Sequence, residues 1–121
     1  MKKLLVVDDD DGVRELVCMA LGGEYEVIEA RQGGEGLRLA RHHRPDLVFL
    51  DVLLPDISGI QVCRVMKSDP DLASMPVVML TSMDQASDFG DATDAGADDY
   101  ITKPFALATL SRTARNVLGG P

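Results

Sequence analysis

The sequence predicts an α/β domain in which a parallel five-stranded sheet carries helices on both faces. Short apolar runs and amphipathic stretches alternate along the whole chain, five of each. Such alternation means parallel strands joined by right-handed crossovers. Three of the five runs are apolar throughout, as strands buried on both faces must be, and two are more polar, as edge strands are.

The first run, Leu4–Val7, reads as a central strand. Val13, Leu16, Val17, Ala20 and Leu21 then recur at i, i+3, i+4, i+7 and i+8, a helix with one buried face. Gly22-Gly23 end it. Tyr25–Ala30 partly alternates and is placed at an edge. Gly34–Arg41 is a weaker helix carrying Leu37 and Ala40. Leu47–Leu50, preceded by Pro45, is the second central strand, and Gly59–Lys67 sets Ile60, Cys63 and Met66 in helical register. Pro76 opens the third central strand, Val77–Leu80. Gln85–Ala95 reads as a helix with Phe89, Ala92, Thr93 and Gly96 on one side. Tyr100–Thr102 is the other edge strand, and Leu107, Leu110, Ala114 and Val117 mark the last helix.

Composition narrows the function. The 121 residues fit one domain, 1–121, with 45% apolar and 26% charged residues, which argues against disorder. Aromatics are 4% with no Trp, so stacking on bases or sugars is not expected. Twenty acids against twelve bases give a net charge of −8, the wrong sign for a phosphate-backbone binder. Cys18 and Cys63 form no CxxC pattern and suit a reducing compartment. The apolar run after Lys2-Lys3 stops at Asp8, well short of the roughly 7–15 residues of a signal peptide. No run approaches the ~20 residues of a membrane span. A soluble, cytoplasmic domain is expected.

In such sheets ligands bind beyond the carboxyl ends of the strands, where strand order reverses. The first central strand ends in Asp8-Asp9-Asp10-Asp11, the second at Asp51, the third in Thr81-Ser82, and the last edge strand at Lys103-Pro104. Converging carboxylates repel one another and call for a cation. Oxygen-only ligation with waters retained suits Mg²⁺. Lys103 and Thr81 could hold two oxygens of a phosphoryl group. A carboxylate in such a site can itself be the nucleophile, forming an aspartyl phosphate. Phosphoryl transfer asks mainly for positioning and charge neutralisation.

Four strings, Leu-Leu-Val-Val-Asp-Asp-Asp, Asp51-Val-Leu-Leu-Pro55-Asp-Ile-Ser-Gly59, Val-Val-Met-Leu-Thr81-Ser and Asp-Tyr100-Ile-Thr-Lys103-Pro-Phe, make the chain resemble response-regulator receiver domains. The resemblance covers essentially the whole chain. It implies a flavodoxin-like doubly wound (βα)5 fold with strand order 2-1-3-4-5. It implies Asp51 as phosphoacceptor, and Asp8, Asp9, Asp51 and the backbone carbonyl of Leu53 around Mg²⁺, with Asp9 the more direct ligand and Asp8 acting mainly through water. Thr81 and Lys103 would sense the phosphate, Tyr100 would turn inward when Thr81 moves, and Lys103-Pro104 would be a cis peptide. The implied partners are a sensor histidine kinase or a histidine phosphotransfer protein, and an output domain or protein. The fourth helix, fifth strand and fifth helix would signal to that output and could carry a phosphorylation-dependent dimer. Nucleic acid and membrane are not implied as direct partners, and the domain is not expected to turn over a free substrate. Thr109 stands where the family often has an acid, which touches nothing catalytic.

Each residue also has an ordinary reading. Asp10 and Asp11 suit the start of a helix, where carboxylates favour the dipole. Asp51 alone could be an N-cap, Thr81 could cap a helix starting near Asp84, and Tyr100 could simply pack on an edge strand. Arg38, Arg41, His42, His43 and Arg44 read as cations at a helix C-terminus. Six aspartates lie between 84 and 99 with no Lys or Arg. That is a solvated face or an acidic surface for a basic partner. Leu53 and Met83 would flank the phosphoryl group, and being apolar neither can orient an attacking water, so slow self-dephosphorylation is expected.

The rival is an enzyme. A haloacid-dehalogenase-like phosphatase would use Asp9 of Asp9-Asp10-Asp11-Gly12 as nucleophile, with Thr81 or Ser82 and the pair Asp98-Asp99 in support. Lys103 follows that pair instead of preceding it, there is no room for a cap, and Asp51 is left without a role. A flavin site fails because the tetra-aspartate would repel the FMN phosphate. A calcium-binding loop of the EF-hand type fails because its end positions would fall on Val7 and Cys18.

Overall fold

Every second residue of each central strand faces the same side of the sheet, and this period of two divides the core. In the computed structural model, which describes residues 1–82 and 88–119, the elements run β1 Lys3–Val7, α1 Asp11–Leu21, β2 Glu26–Ala30, α2 Gly33–His43, β3 Leu47–Asp51, α3 Gly59–Ser68, β4 Val77–Ser82, α4 Asp88–Asp94, β5 Asp99–Lys103 and α5 Leu107–Leu118. All pairings are parallel, in the order β2-β1-β3-β4-β5. Val6 lies beside Phe49, Leu50 beside Met79, and Leu80 beside Ile101.

Leu5, Val7, Val48, Leu50, Val77 and Met79 pack against Ala40 of α2, Val62, Cys63 and Met66 of α3, and Ala92 of α4. Leu4, Val6, Phe49, Val78 and Leu80 face the other way, onto Val13, Val17 and Leu21 of α1 and Leu110 and Ala114 of α5. The strand order reverses between β1 and β3, so the carboxyl end of the sheet there is an open crevice.

The expected helices and central strands are present, with local differences. β2 starts at Glu26, one residue after Tyr25. On α1 the buried stripe is Val13, Val17 and Leu21, with Arg14 beside it, while Leu16 is 36% exposed. Five apolar positions span more of the helix circumference than the sheet can cover, and Leu16 instead lines a cleft with Pro104 and Phe105. Leu107 is likewise exposed, at the start of α5. On α4 Ala92 is buried but Thr93 is not, and Gly96 lies beyond the helix at φ 98°. Met83, Asp84 and Gln85 lie outside the described residues.

Helix ends follow local chemistry. Asp10 caps α1 by accepting from Gly12 N–H at 2.8 Å, and Asp11 sits in the first turn, as expected. Ser58 Oγ caps α3 by accepting from Ile60 N–H at 3.1 Å. Arg41, His42 and His43 occupy the last turn of α2, and Arg44 follows in the left-handed region at φ 49°. Gly59 is required by close approach: a Cβ there would lie 1.8 Å from the Asp51 carbonyl oxygen.

Candidate functional site

The rim of the crevice is built from the last residues of four strands. β1 delivers Asp8, fully buried at 0% exposure, and β3 delivers Asp51 at 5%. Asp9, one residue beyond Asp8, is exposed. One carboxylate oxygen from each of Asp8, Asp9 and Asp51 lies within 4.8 Å of the others. β5 ends in Lys103, whose Nζ donates to Asp8 Oδ2 at 2.9 Å and lies 3.4 Å from Asp51 Oδ1. The Lys103–Pro104 peptide is cis. A cleft of about 290 Å³ joins these groups and is also lined by Leu53 and Ser82.

Three carboxylates face one ammonium, an excess of negative charge in a largely buried place. Burial first, and then repulsion from Asp8, raise the Asp51 pKa to about 6, although Lys103 and the Leu53 N–H pull it down. Burial alone would lower Lys103; its contacts with Asp8 and Asp51 outweigh that and hold it above the ordinary lysine value. The donor set is all oxygen, with no thiolate or imidazole, and suits a small hard divalent cation.

The remaining predicted residues are close by, but differently engaged. Thr81 is buried and donates through Oγ1 to Ser82 O, at a long 3.4 Å, while Ser82 lines the cleft. Leu53 donates its N–H to Asp51 Oδ1 at 3.4 Å and leaves its side chain 62% exposed. The N-cap of α3 is Ser58, not Asp51. Tyr100 points outward at 37% exposure, its hydroxyl 2.6 Å from Thr93 Oγ1. Within the acidic stretch, Asp98 is part of the framework, accepting from Val77 N–H at 2.8 Å and pairing with Lys67 at 3.0 Å. Asp91, Asp94 and Asp99 are exposed.

Two contributors were not anticipated. Arg14 is buried beneath the acidic turn, where Nη1 donates to Asp8 O at 2.7 Å, Nε to Glu29 at 3.2 Å and Nη2 to Asp11. Asp56, on the loop after β3, accepts from both Gly33 N–H and Gly34 N–H at 2.8 Å. The signal for Arg14 was a cation adjoining the apolar stripe of α1. The signal for Asp56 was a helix opening Gln32-Gly33-Gly34 with no good cap of its own.

Residues 4–115 match the family model described as the response regulator receiver domain. The chain belongs to that family. The receiver is 44% identical over 117 residues to the response regulator MprA of Mycobacterium sp. (strain KMS), spanning 96% of this chain and 50% of the relative. It is 39% identical over 119 residues to RpaA of Synechocystis sp., a DNA-binding dual master transcriptional regulator, spanning 98% of this chain and 49% of that one. It thus spans about half the length of these curated relatives. Among solved structures, the chemotaxis protein CheY4 of Vibrio cholerae is similar with a TM-score of 0.90 at 31% identity, over 98% of this chain and 99% of that one. The receiver domain of NtrX from Brucella abortus gives 0.88 at 30%, over 98% and 99%. The flavodoxin-like order is therefore shared with relatives, and the phosphatase alternative with Asp9 as nucleophile is not supported. Among the described residues, no helix is long and apolar enough to cross a membrane.

Proposed function

We propose that this receiver takes a phosphoryl group onto Asp51 from a phosphohistidine of a sensor histidine kinase or histidine phosphotransfer protein in the cytoplasm. The observation that carries the reading is the placement of Lys103 Nζ between Asp8 and Asp51, at 2.9 and 3.4 Å, with Asp9 beside them. Asp8, Asp9, Asp51 and the Leu53 carbonyl would hold Mg²⁺, which when bound neutralises the carboxylates and the incoming phosphoryl oxygens. An Asp51 carboxylate oxygen attacks phosphorus, the P–N bond breaks, and its electron pair returns to the donor imidazole. Lys103 compensates charge on one phosphoryl oxygen. Thr81 takes up another, leaving its long bond to Ser82. Tyr100 then turns inward from Thr93, and the surface of α4, β5 and α5 changes for an output domain or protein. The receiver modifies itself once per donor and releases no product from a free substrate, so it acts as a switch.

Leu53 presents an apolar side chain to the rim, and Met83 is apolar by sequence. Neither orients water, so the aspartyl phosphate is long-lived, and Leu53→Asn with Met83→Glu shortens its lifetime. The principal test is incubation with a small acyl phosphate and Mg²⁺, followed by mass mapping. Wild type gains one phosphoryl group on the peptide holding Asp51, and Asp51→Asn gains none. Phosphate on Asp9, undiminished in Asp51→Asn, would overturn the assignment.

A further inference from the structure

The loop between β3 and α3 carries Leu53 and spans residues 52–58. It is fixed at its roots, where Val52 N–H donates to Leu80 O at 3.1 Å and Gly59 N–H to Val52 O at 2.8 Å. Between the roots its crest leans on another helix. The first helical N–H groups of α2 have no intrahelical partners. Gln32, at the N-cap, makes no side-chain cap bond. Glu35 reaches back to Arg31 N–H at 2.8 Å, much like half of a capping box. The missing half comes from 22 and 23 residues away, where the two oxygens of Asp56 take Gly34 N–H and Gly33 N–H at 2.8 Å each. Ile57 seals the same junction: a Cβ on Gly33 would lie 2.6 Å from Ile57 Cγ1, so only glycine lets the loop sit there.

We infer that Asp56 is a positioning residue for the metal site, capping α2 from a distance and thereby tethering the loop that presents Leu53. Asp56 touches no reacting atom. A bidentate grip on two adjacent amides fixes both the height and the angle of the loop crest, three residues beyond Leu53. A local cap at residue 32 would stabilise α2 equally well but leave the loop unheld. The placement of the carboxylate on the loop is what links the two. This inference rests on the reading of the rim as a Mg²⁺ site.

That distinction sets the experiment. Asp56→Ala, Asp56→Asn and the double variant Asp56→Ala with Gln32→Asp are compared with wild type by thermal melting and by calorimetric titration with Mg²⁺. Working near 1 M salt, where the Debye length is about 3 Å, screens the mere loss of a surface charge. Asp56→Ala lowers the melting temperature and weakens Mg²⁺ binding about tenfold, the scale of groups that orient metal ligands. Asp56→Asn, keeping one acceptor, falls between. In the double variant the carboxylate introduced by Gln32→Asp supplies a local N-cap, so the melting temperature returns while the Mg²⁺ affinity stays low. Recovery of affinity together with stability would overturn the tether, as would wild-type affinity in Asp56→Ala. Wild type that bound no Mg²⁺ would overturn the site itself and the tether with it.

Discussion

The two sides of the rim are held very differently. On the β1 and β3 side every turn is braced. Arg14 grips the Asp8 carbonyl, Asp10 N–H donates to Asp8 Oδ1 at 2.9 Å, and Asp56 pins the next loop to α2. On the β4 and β5 side, among the described residues, Thr81 is buried with one long hydroxyl bond, and Tyr100 lies at the surface. The braced side holds the carboxylates that would have to stay in place to keep a bound cation. The other side carries Thr81 and Tyr100, the groups that the proposed function assigns to movement. Lys103 belongs to both: it is rooted at the end of β5 and reaches Asp8 and Asp51. Such a division would give the proposed switch a rigid reference and a yielding reporter.

The largest effect on stability should follow removal of a brace. Arg14→Ala leaves the Asp8 carbonyl without its buried donor and Glu29 without its cation, and should cost about 3 kcal/mol, read by urea unfolding. A cost below that of Thr81→Ala would break the comparison. Next comes Asp51→Asn in the metal-free protein. The Asp51 pKa is raised from 3.8 to about 6, so ionised Asp51 opposes folding. The folded state holds its proton more tightly, and stability falls as pH rises from about 4 to about 6. Asp51→Asn should therefore stabilise by roughly 3 kcal/mol at pH 7 and by almost nothing at pH 3.5. Equal effects at the two pH values would mean that packing, not charge, is responsible.

Smaller effects are expected on the yielding side. Thr81→Ala removes one long hydroxyl bond and should change stability by less than about 1 kcal/mol, while uncoupling phosphate uptake from Tyr100 movement, followed by tyrosine fluorescence. Tyr100→Phe should alter stability by less than about 0.5 kcal/mol, because its hydroxyl bond to Thr93 is at the surface. A large loss in either variant would mean that this side is as rigid as the other.

Much of this was legible in the chain. The three fully apolar runs became β1, β3 and β4, and the two polar ones became the edges, because burial on both faces leaves no polar alternation to read. The rim residues were legible because a parallel sheet sends the end of every strand to one side. What stayed hidden were contacts between segments distant in sequence. Nothing local in the sequence announces Glu29 and the Asp8 carbonyl as the partners of Arg14. Nor does the sequence around Asp56 announce its partners, since the amides it accepts from lie on another helix. Leu16 misled in the opposite sense: helical periodicity counts apolar positions but not the width of the sheet beneath them. Asp98 looked like one of six equivalent surface acids, yet it is tied to Lys67 and to the start of β4.

The division of the rim is tested most directly by amide hydrogen exchange on the Mg²⁺-loaded receiver, before and after phosphorylation with a small acyl phosphate. Exchange should change within Val77–Ser82 and Asp99–Lys103, and stay the same across Asp8–Arg14 and at the amides of Gly33 and Gly34. Changes concentrated in Asp8–Arg14 and at Gly33 and Gly34, with Val77–Ser82 and Asp99–Lys103 unaltered, would contradict it.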